Sequence, residues 1–236
     1  MKIKVSSYNI FHCEDFYNEK IDFEAFAKVI KDMDTDVIGM NEVHGKGEDI
    51  EYDEQTEILG KMLGYNYYFA KATEIDGNNP FGNAMLTRLP VKECVTIPIP
   101  DPDPQGYDGY YETRCVLKMV TATDPEVTFL ITHFGLNPDE QENAVKVIIE
   151  NIPEGRCVLM GDLNVKPDNS VLDPIRALLN DAAGDKSMVP FTFPSDKPNR
   201  KIDYIFASPD IKVNWFKVED IVLSDHKPVS AELEIK

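Results

Sequence analysis

The stretch CVLMGDLNVKP, residues 157–167, decides how we interpret the fold of this chain. It begins with residues typical of a buried strand and then places Asp162 and Asn164 where that strand should end. A Gly-Asp pair is also common in turns, so a simple strand-ending turn explains this stretch equally well on its own. The other interpretation is that the strand carries a carboxylate and an amide into a polar cleft.

Outward from this strand, the chain alternates many strands with a few helices. Apolar runs predict strands at residues 2–8, 36–43, 65–72, 82–88, 91–99, 113–122, 127–134 and 157–162, and in KIDYIFAS, IKVNWFKV and PVSAELEI. Helical spacing predicts four helices. The first begins after Asp22, the second runs from Gln55 to Leu63 and is stopped by Gly64, and the third opens at Asn137. The fourth buries Leu172, Ile175, Leu178 and Leu179. This order indicates two sheets packed face to face with helices outside.

The composition is that of a globular protein. The chain has 236 residues, of which 42% are hydrophobic and 28% are charged, and no linker or repeat divides it. We therefore predict a single domain over residues 1–236. The net charge of −18 repels polyphosphates at long range, so we expect no tight binding of duplex DNA. A local cationic groove or a bound metal could still reverse the sign near a site.

The cysteines and the apolar runs bear on where the protein works. Four widely spaced cysteines, without a CxxC pair, predict buried free thiols: Cys13, Cys94, Cys115 and Cys157. No run of about 18 apolar residues occurs, and the N-terminal residues alternate instead of forming an apolar block. We predict a soluble, cytoplasmic protein and expect a monomer.

Polar side chains recur at the ends of predicted strands along the whole chain. Besides Asp162 and Asn164, strand ends or edges deliver Asn9, Glu42, His133, Asp203, Asp225 and His226. Such groups lose hydration on burial unless they form hydrogen bonds or bind a cation, so we expect them to share one cleft. Oxygen ligands with histidines and without cysteine ligands suit Mg²⁺ or Mn²⁺ better than structural zinc. The pattern predicts a hydrolase that uses a hard divalent metal.

Seven short motifs follow one another over nearly the whole chain: SYNI, NEV, GNAML, THFG, GDLN, KIDYIF and SDHKPV. In this order they resemble the endonuclease/exonuclease/phosphatase family, whose relatives include DNase I, exonuclease III, sphingomyelinases and inositol polyphosphate phosphatases. The resemblance implies an α/β fold, the DNase I-like four-layer α/β/β/α sandwich, with two mixed β-sheets face to face and the site at one edge. It also implies metal-dependent hydrolysis of phosphate esters, by in-line attack of water and without a covalent intermediate.

The resemblance assigns the metal and water positions residue by residue. Glu42 matches the principal metal-binding glutamate, with Asn9 beside it, and Asp225 matches the second acidic residue of the metal site. Asp162, which we also expect near the metal, would orient or deprotonate the attacking water. Asn164 would hold that water and the phosphoryl group.

The resemblance also assigns two histidines. His226 matches the histidine that contacts the phosphate, and Asp203 would fix its tautomer and charge. An acid-backed imidazole favours the protonated form, which stabilises negative charge developing at phosphorus. His133 is similar to the histidine of the DNase I and phosphatase branches, where exonuclease III has a tyrosine. Glu112 is expected to be its carboxylate partner, unless Glu112 and Arg114 only form an ion pair at a strand edge.

Other segments carry weaker expectations. His12 and His44 lie just beyond strand ends, where a loop histidine is more often exposed to solvent. Asn83 in GNAML is expected to support the site through hydrogen bonds. The proline-rich segment from Pro98 to Tyr111 could form a wall over the substrate or a plain surface connection.

The substrate class stays open among nucleic acid, a phospholipid or inositol phosphate headgroup, and a small nucleotide-like diester. Overall acidity and the lack of a basic run favour a small or single-stranded substrate. The alternative to an enzyme is a catalytically inactive binding module on the same fold. Such a module should have a broken site, whereas the metal, water and histidine positions are all intact in this sequence.

Overall fold

A computed structural model of the chain describes residues 1–49, 52–184 and 191–236. In chain order the strands are β1 (Lys2–Asn9), β2 (Glu14–Asp15), β3 (Lys20–Ile21), β4 (Val37–His44), β5 (Asn66–Ile75), β6 (Asn79–Thr87), β7 (Val91–Pro98), β8 (Cys115–Thr121), β9 (Thr128–Thr132), β10 (Cys157–Asp162), β11 (Asn180–Asp181), β12 (Asp203–Ala207), β13 (Ile211–Val218) and β14 (Val229–Ile235). The helices are α1 (Phe23–Met33), α2 (Gln55–Leu63), α3 (Pro138–Asn151) and α4 (Asp173–Arg176), with 3₁₀ turns at Phe11–Cys13 and Ser170–Leu172.

The strands form two six-stranded sheets and a small hairpin. The first sheet has the order β13-β14-β1-β4-β6-β5, and the second has the order β11-β12-β10-β9-β8-β7. Each sheet contains one parallel pair, β1 with β4 and β10 with β9, among antiparallel pairs. β1 also pairs with β14, the last strand of the chain. The prediction of two mixed sheets is confirmed.

Apolar side chains fill three layers between the sheets and helices. The layer between the two sheets contains Val5, Met85, Leu117, Phe129 and Ile205. Outside the first sheet, α1 and α2 contribute Phe26, Ile30 and Leu59, and outside the second sheet α3 and α4 contribute Ile148 and Ile175. Burying each apolar helix face against a sheet gives the four-layer sandwich that the sequence predicts.

The sequence signals at three helix ends behave as predicted. Asp22 caps α1 by accepting a hydrogen bond from the backbone N of Ala25 at 2.8 Å. Gly64 ends α2 with a φ of +70°, a conformation that glycine adopts without steric cost. At α3, the Glu140 Oε2 accepts a hydrogen bond from the backbone N of Asn137 at 3.1 Å.

The helix predicted around residues 172–179 is wrong in length. It is reduced to a 3₁₀ turn and the four residues of α4, and Leu178 is 42% exposed instead of buried. The helix is shortened by a tertiary contact. Asn180 and Asp181 form the edge strand β11, which pairs with β12, so the helix must end before them.

The cysteines are free, as predicted. Three of them are buried and Cys94 is half-buried. Among the described residues, none of the helices combines the length and the apolar character needed to cross a membrane.

Candidate active site

A cavity of about 440 Å³ opens at the ends of β4, β9 and β10. It is lined by Glu42, Tyr110, Glu112, Arg114, His133, Leu136, Asp162, Asn164, Phe193, Arg200, Ile202, Asp225 and His226. Glu42 belongs to the first sheet, whereas Asp162 ends β10 of the second sheet and His133 directly follows β9. The cavity therefore collects side chains from both sheets, as the strand-end pattern predicts.

Glu42 faces the cavity because β4 is irregular at this point. The pairing of β4 with β6 shifts between Met40 and Val43, and Glu42 has a φ of +55°. Such a β-bulge turns a side chain away from the regular alternation. Asn9, at the end of neighbouring β1 and 0% exposed, donates from Nδ2 to Glu42 Oε1 at 2.8 Å. Burial raises the pKa of Glu42, the Asn9 hydrogen bond lowers it, and the charge of Asp225 raises it again.

Asp162 lies at the centre of the hydrogen-bond network. It is 1% exposed, and its Oδ1 accepts a hydrogen bond from the backbone N of Asn164 at 2.9 Å. Its Oδ2 accepts from Asn9 Nδ2 at 3.3 Å and lies 3.5 Å from Nε2 of both His133 and His226. Burial raises the pKa of Asp162 to about 7, against the lowering effect of the His226 charge.

The backbone of Gly161, just before Asp162, lies very close to the neighbouring strand β9. Gly161 has a φ of +152°, and a Cβ there would lie 1.8 Å from the carbonyl oxygen of Thr132. The side chain of Asn41 holds this region: Oδ1 accepts from Asp162 N at 2.9 Å, and Nδ2 donates to Thr132 O at 3.0 Å and to Asn83 Oδ1 at 2.7 Å. Asn83 therefore supports the cavity through its hydrogen bond with Asn41, as expected. The sequence motif contains Asn41, but only the paired sheets reveal its role.

His226 forms an acid-backed imidazole, as predicted. Its Nδ1 lies 3.0 Å from Asp203 Oδ2, and both residues are almost fully buried. Burial opposes protonation of His226, but the charges of Asp203, Asp162 and Asp225 outweigh it and raise its pKa to about 10. The ring of Phe193 packs on the imidazole, with centroids 4.7 Å apart. These neighbouring carboxylates therefore favour the protonated imidazole.

The surroundings of His133 favour its neutral form, and its partner differs from the one predicted. Arg114 Nη1 donates to His133 Nδ1 at 2.9 Å, and Asn164 Nδ2 lies 3.0 Å from Nε2. Burial, then the charges of Arg114 and His226, hold the pKa of His133 well below its usual range. Arg114 Nη1 also lies 2.7 Å from Glu112 Oε1, a distance that makes an ion pair. The prediction that Glu112 partners His133 is therefore wrong, because the longer arginine side chain stands between them.

The carboxylates of the cavity fit a divalent cation by their chemistry. Burial raises the pKa values of Glu42, Asp162 and Asp225, and the charge of Asp225 adds to the shift at Glu42. A hard cation would relieve this repulsion through oxygen ligands. One ligand atom each from Asp162, Asp203 and His226 also lies within 4.8 Å of the others. Within this group, His226 Nδ1 is already paired with Asp203 Oδ2 at 3.0 Å, so these two atoms serve each other.

The remaining expectations have mixed outcomes. His44 is 6% exposed, because β4 continues through it, so the expectation of an exposed loop histidine is wrong for this residue. Its ring stacks between His12, with centroids 4.7 Å apart, and Tyr52, with centroids 3.9 Å apart. In the proline-rich segment, Tyr110 lines the cavity, so this segment contributes a wall.

Four lining residues were not found from the sequence: Leu136, Phe193, Arg200 and Ile202. Phe193 and Arg200 pair in an isolated β-bridge, and the guanidinium carbon of Arg200 lies 4.9 Å from the Phe193 ring centroid. No strand-like alternation marks residues 191–202. The sequence signal that could have indicated this part of the cavity was Arg200, directly before KIDYIF, together with Phe193 upstream of it.

The comparisons with known proteins agree with the fold. The model of the Endonuclease/Exonuclease/phosphatase family matches residues 6–226. Among curated proteins, none matches this sequence.

Solved structures share the fold at low sequence identity. An endonuclease/exonuclease/phosphatase from Beutenbergia cavernae is 20% identical, with a TM-score of 0.81, over 99% of this chain and 72% of that one. A mannosyl-6-phosphatase from Bacteroides thetaiotaomicron is 18% identical, with a TM-score of 0.77, over 99% of this chain and 100% of that one. TDP2 from Caenorhabditis elegans is 20% identical, with a TM-score of 0.66, over 99% of this chain and 75% of that one.

Proposed function

Because this chain belongs to the endonuclease/exonuclease/phosphatase family, we propose that it hydrolyses phosphate esters with the help of Mg²⁺ or Mn²⁺. The observation that carries the proposal is the meeting of Glu42, Asp162, Asp225 and the cationic His226 around one cavity. These groups supply the three requirements of the reaction: charge neutralisation, a base for water and a donor to the phosphoryl oxygens. No covalent nucleophile is needed.

The metal would be held by Glu42 and Asp225, with Asn9 and Asp162 next to them. When bound there, a divalent cation supplies charge neutralisation at the phosphoryl group and acidifies water. Asn9 supports this role, because its amide fixes the orientation of the Glu42 carboxylate.

Asp162 is suited to accept a proton from the attacking water. Its pKa of about 7 lies close to neutral pH, where a general base works most effectively. The backbone N of Asn164 fixes the carboxylate through Oδ1, and the Asn164 side chain lies between His133 and the Phe134 carbonyl oxygen, within 3.0 Å of both. Asn164 is therefore held in place to position the water and the phosphate.

His226 is suited to donate a hydrogen bond to the phosphoryl or leaving oxygen. Asp203 binds its Nδ1, which leaves the Nε2 proton on the side of Asp162 and the cavity. His133, whose lowered pKa favours the neutral form, is a poorer proton donor, so we assign it to orienting Asp162, whose Oδ2 lies 3.5 Å from His133 Nε2. Arg114 stabilises this neutral state because it donates to His133 Nδ1.

The substrate is, in this proposal, a small phosphate ester. The net charge of −18 disfavours long polyanions. A similar structure is that of a mannosyl-6-phosphatase, which matches 99% of this chain. TDP2 shares the fold less closely. The alternative of an inactive binding module is not favoured, because Glu42, Asp162, Asp225 and His226 all line the cavity with side chains able to act.

Metal-dependent turnover tests the proposal directly. Hydrolysis of p-nitrophenyl phosphate and bis-p-nitrophenyl phosphate is measured with Mg²⁺, with Mn²⁺ and with EDTA. We expect activity with a metal that EDTA abolishes. Asp162→Asn should lower kcat roughly a hundred- to ten-thousandfold, the usual contribution of a general base, while circular dichroism shows a retained fold.

The matched control is Asp196→Asn, which removes an exposed carboxylate outside the cavity. Its activity should equal that of the unmodified protein. Equal losses in both variants would mean that the site is wrongly assigned. An absence of metal-dependent hydrolysis of these esters, of nucleic acid and of sugar phosphates would favour the inactive module instead.

A further inference from the structure

A second cavity, of about 300 Å³, lies next to the candidate active site. It is lined by Lys166, Pro167, Asp168, Phe191, Asn199, Arg200 and Lys201. Arg200 lines both cavities. The neighbouring lysine of the same segment, Lys201, faces the second cavity, whereas Ile202 faces the first. The two cavities therefore adjoin at Arg200.

The second cavity is cationic, although the protein as a whole is acidic. Lys166, Arg200 and Lys201 line it against the single carboxylate of Asp168. Lys201 is 1% exposed and is paired with Asp181, with Nζ 2.9 Å from Oδ2, so its charge is largely compensated. Within residues 1–49, 52–184 and 191–236, no ion pair forms to Lys166 or Arg200. These two exposed cations are therefore free to bind an anion.

Arg200 is held in place beside the catalytic residues. Its backbone pairs with that of Phe193, with N to O distances of 3.1 and 3.2 Å. Its guanidinium lies over the Phe193 ring, and the same ring packs on His226. Stacking on an aromatic ring leaves the edge of a guanidinium able to donate to an anion. A fixed arginine loses less conformational entropy when it binds a phosphate than a free side chain does.

We propose that the second cavity binds a second phosphate group of the substrate, through Arg200 and Lys166. This inference rests on the proposed function, since it names the class of phosphate ester that the site prefers. Arginine donates to phosphate in a bidentate manner, and lysine adds a compact positive charge. Phe191, which is 49% exposed, and Pro167 give the same cavity apolar surface for the carbon skeleton between the two phosphates.

Two matched substrate pairs test this proposal. The first pair is glucose 1,6-bisphosphate and glucose 6-phosphate, and the second is a thymidine dinucleotide with and without a 5′-phosphate. The value of kcat/KM is measured for both members of each pair. The double variant Lys166→Gln, Arg200→Gln should lower the preference for the doubly phosphorylated member about tenfold or more, mainly through KM. The pair that shows the preference identifies a sugar or a nucleotide skeleton.

The control variant is Lys197→Gln, which removes an exposed lysine of the same segment that lines neither cavity. It should keep the preference. An equal loss for both members of a pair in the double variant would mean that Arg200 serves only the reacting phosphate, and it would overturn the proposal. A preference unchanged within about twofold would overturn it as well.

Binding without turnover separates this inference from the proposed function. Isothermal titration calorimetry in EDTA compares the binding of the two glucose phosphates to the unmodified protein and to the double variant. Tighter binding of the bisphosphate that is lost in the double variant supports the second phosphate site, even if no ester is hydrolysed. Equal binding by both proteins contradicts the site, even if the enzyme is active.

Discussion

Gly161 shows how strongly one residue constrains the site. Its backbone conformation is unusual for other residues, and the Thr132 carbonyl oxygen occupies the space where a Cβ would lie. Gly161→Ala should therefore lower the free energy of unfolding by more than about 2 kcal/mol, because the strand must move or strain. Urea unfolding followed by circular dichroism measures this change.

The matched control is Gly155→Ala, where a Cβ meets nothing within 4 Å. It should change the free energy of unfolding by no more than about 0.5 kcal/mol. If Gly161→Ala were as well tolerated as Gly155→Ala, the close approach of β10 and β9 at this point would be incorrect.

The protonation of His226 makes stability depend on pH. Its pKa is raised from 6.5 to about 10, so the folded state binds a proton more tightly than the unfolded state does. This stabilisation is fully present below about pH 6.5 and is lost as the pH rises toward 10. In EDTA, the free energy of unfolding of the unmodified protein relative to His226→Gln should decrease between pH 6.5 and 9.

Urea titrations of both proteins over this range measure the difference. The comparison removes the opposite contribution of Lys201, whose pKa burial lowers to about 8. A difference that stayed constant or grew with pH would contradict a protonated His226 in the folded state.

The residues that could be predicted from the sequence share one property. Glu42, Asp162 and His226 end or directly precede apolar strands, and the edges of a sheet bring such positions together. Arg200 lacks this signal, because it reaches the cavity through an irregular segment and a contact with Phe193. The sequence likewise could not show that Arg114 separates Glu112 from His133, since that depends on side-chain reach.

At the scale of elements, the start of α3 supports the loop that carries Arg114. Glu140 accepts hydrogen bonds from Asn137 N at 3.1 Å and from Glu112 N at 3.1 Å. Asn137 Nδ2 in turn donates to the Tyr110 carbonyl oxygen at 2.8 Å. The helix cap and the cavity wall are therefore one hydrogen-bonded unit.

Glu140→Ala should affect both stability and activity through this unit. We expect a loss of about 1–2 kcal/mol in the free energy of unfolding, as for other helix caps. The value of kcat/KM should also fall, because Arg114 loses its support. Urea unfolding and phosphatase assays measure the two effects.

Glu150→Ala is the control on the same helix, because Glu150 is exposed near its last residue. It should change neither quantity. A Glu140→Ala variant that lost stability but kept full kcat/KM would mean that the loop is positioned without the helix cap.

Elements with a clear period were predictable, and short ones were not. The bounds of α2 and the strands of both sheets follow from apolar spacing and from Gly64. The segment from Leu172 to Leu179 has helical spacing, but pairing of Asn180 with β12 prevails over it. Local helix or strand propensity carries no information about a partner strand that lies more than twenty residues later in the chain.

At the scale of the whole molecule, the cavity joins the two sheets. Glu42 and Asn9 belong to the first sheet, and Asp162 and Asp203 belong to the second. The proposed cation would therefore bind a site that exists only while the sheets are packed together. A ligand of this kind stabilises the folded state according to its concentration and affinity.

Mg²⁺ should raise the temperature of unfolding of the unmodified protein in a concentration-dependent manner. At about one hundred times the dissociation constant, the expected stabilisation is about 2.7 kcal/mol. Glu42→Gln should abolish the rise, while Glu150→Gln should keep it. Differential scanning calorimetry measures these shifts, and an equal rise in both variants would place the cation elsewhere.

The pairing of β1 with β14 has a consequence for synthesis on the ribosome. β1 is synthesised before the other described strands, yet one of its two neighbours in the sheet, β14, is synthesised after all of them. Asp225 and His226 also lie in the connection just before that strand. A nascent chain that has not yet reached β14 therefore lacks a neighbour of β1 and part of the proposed catalytic set, so it should acquire its chemistry only after β14 has been translated.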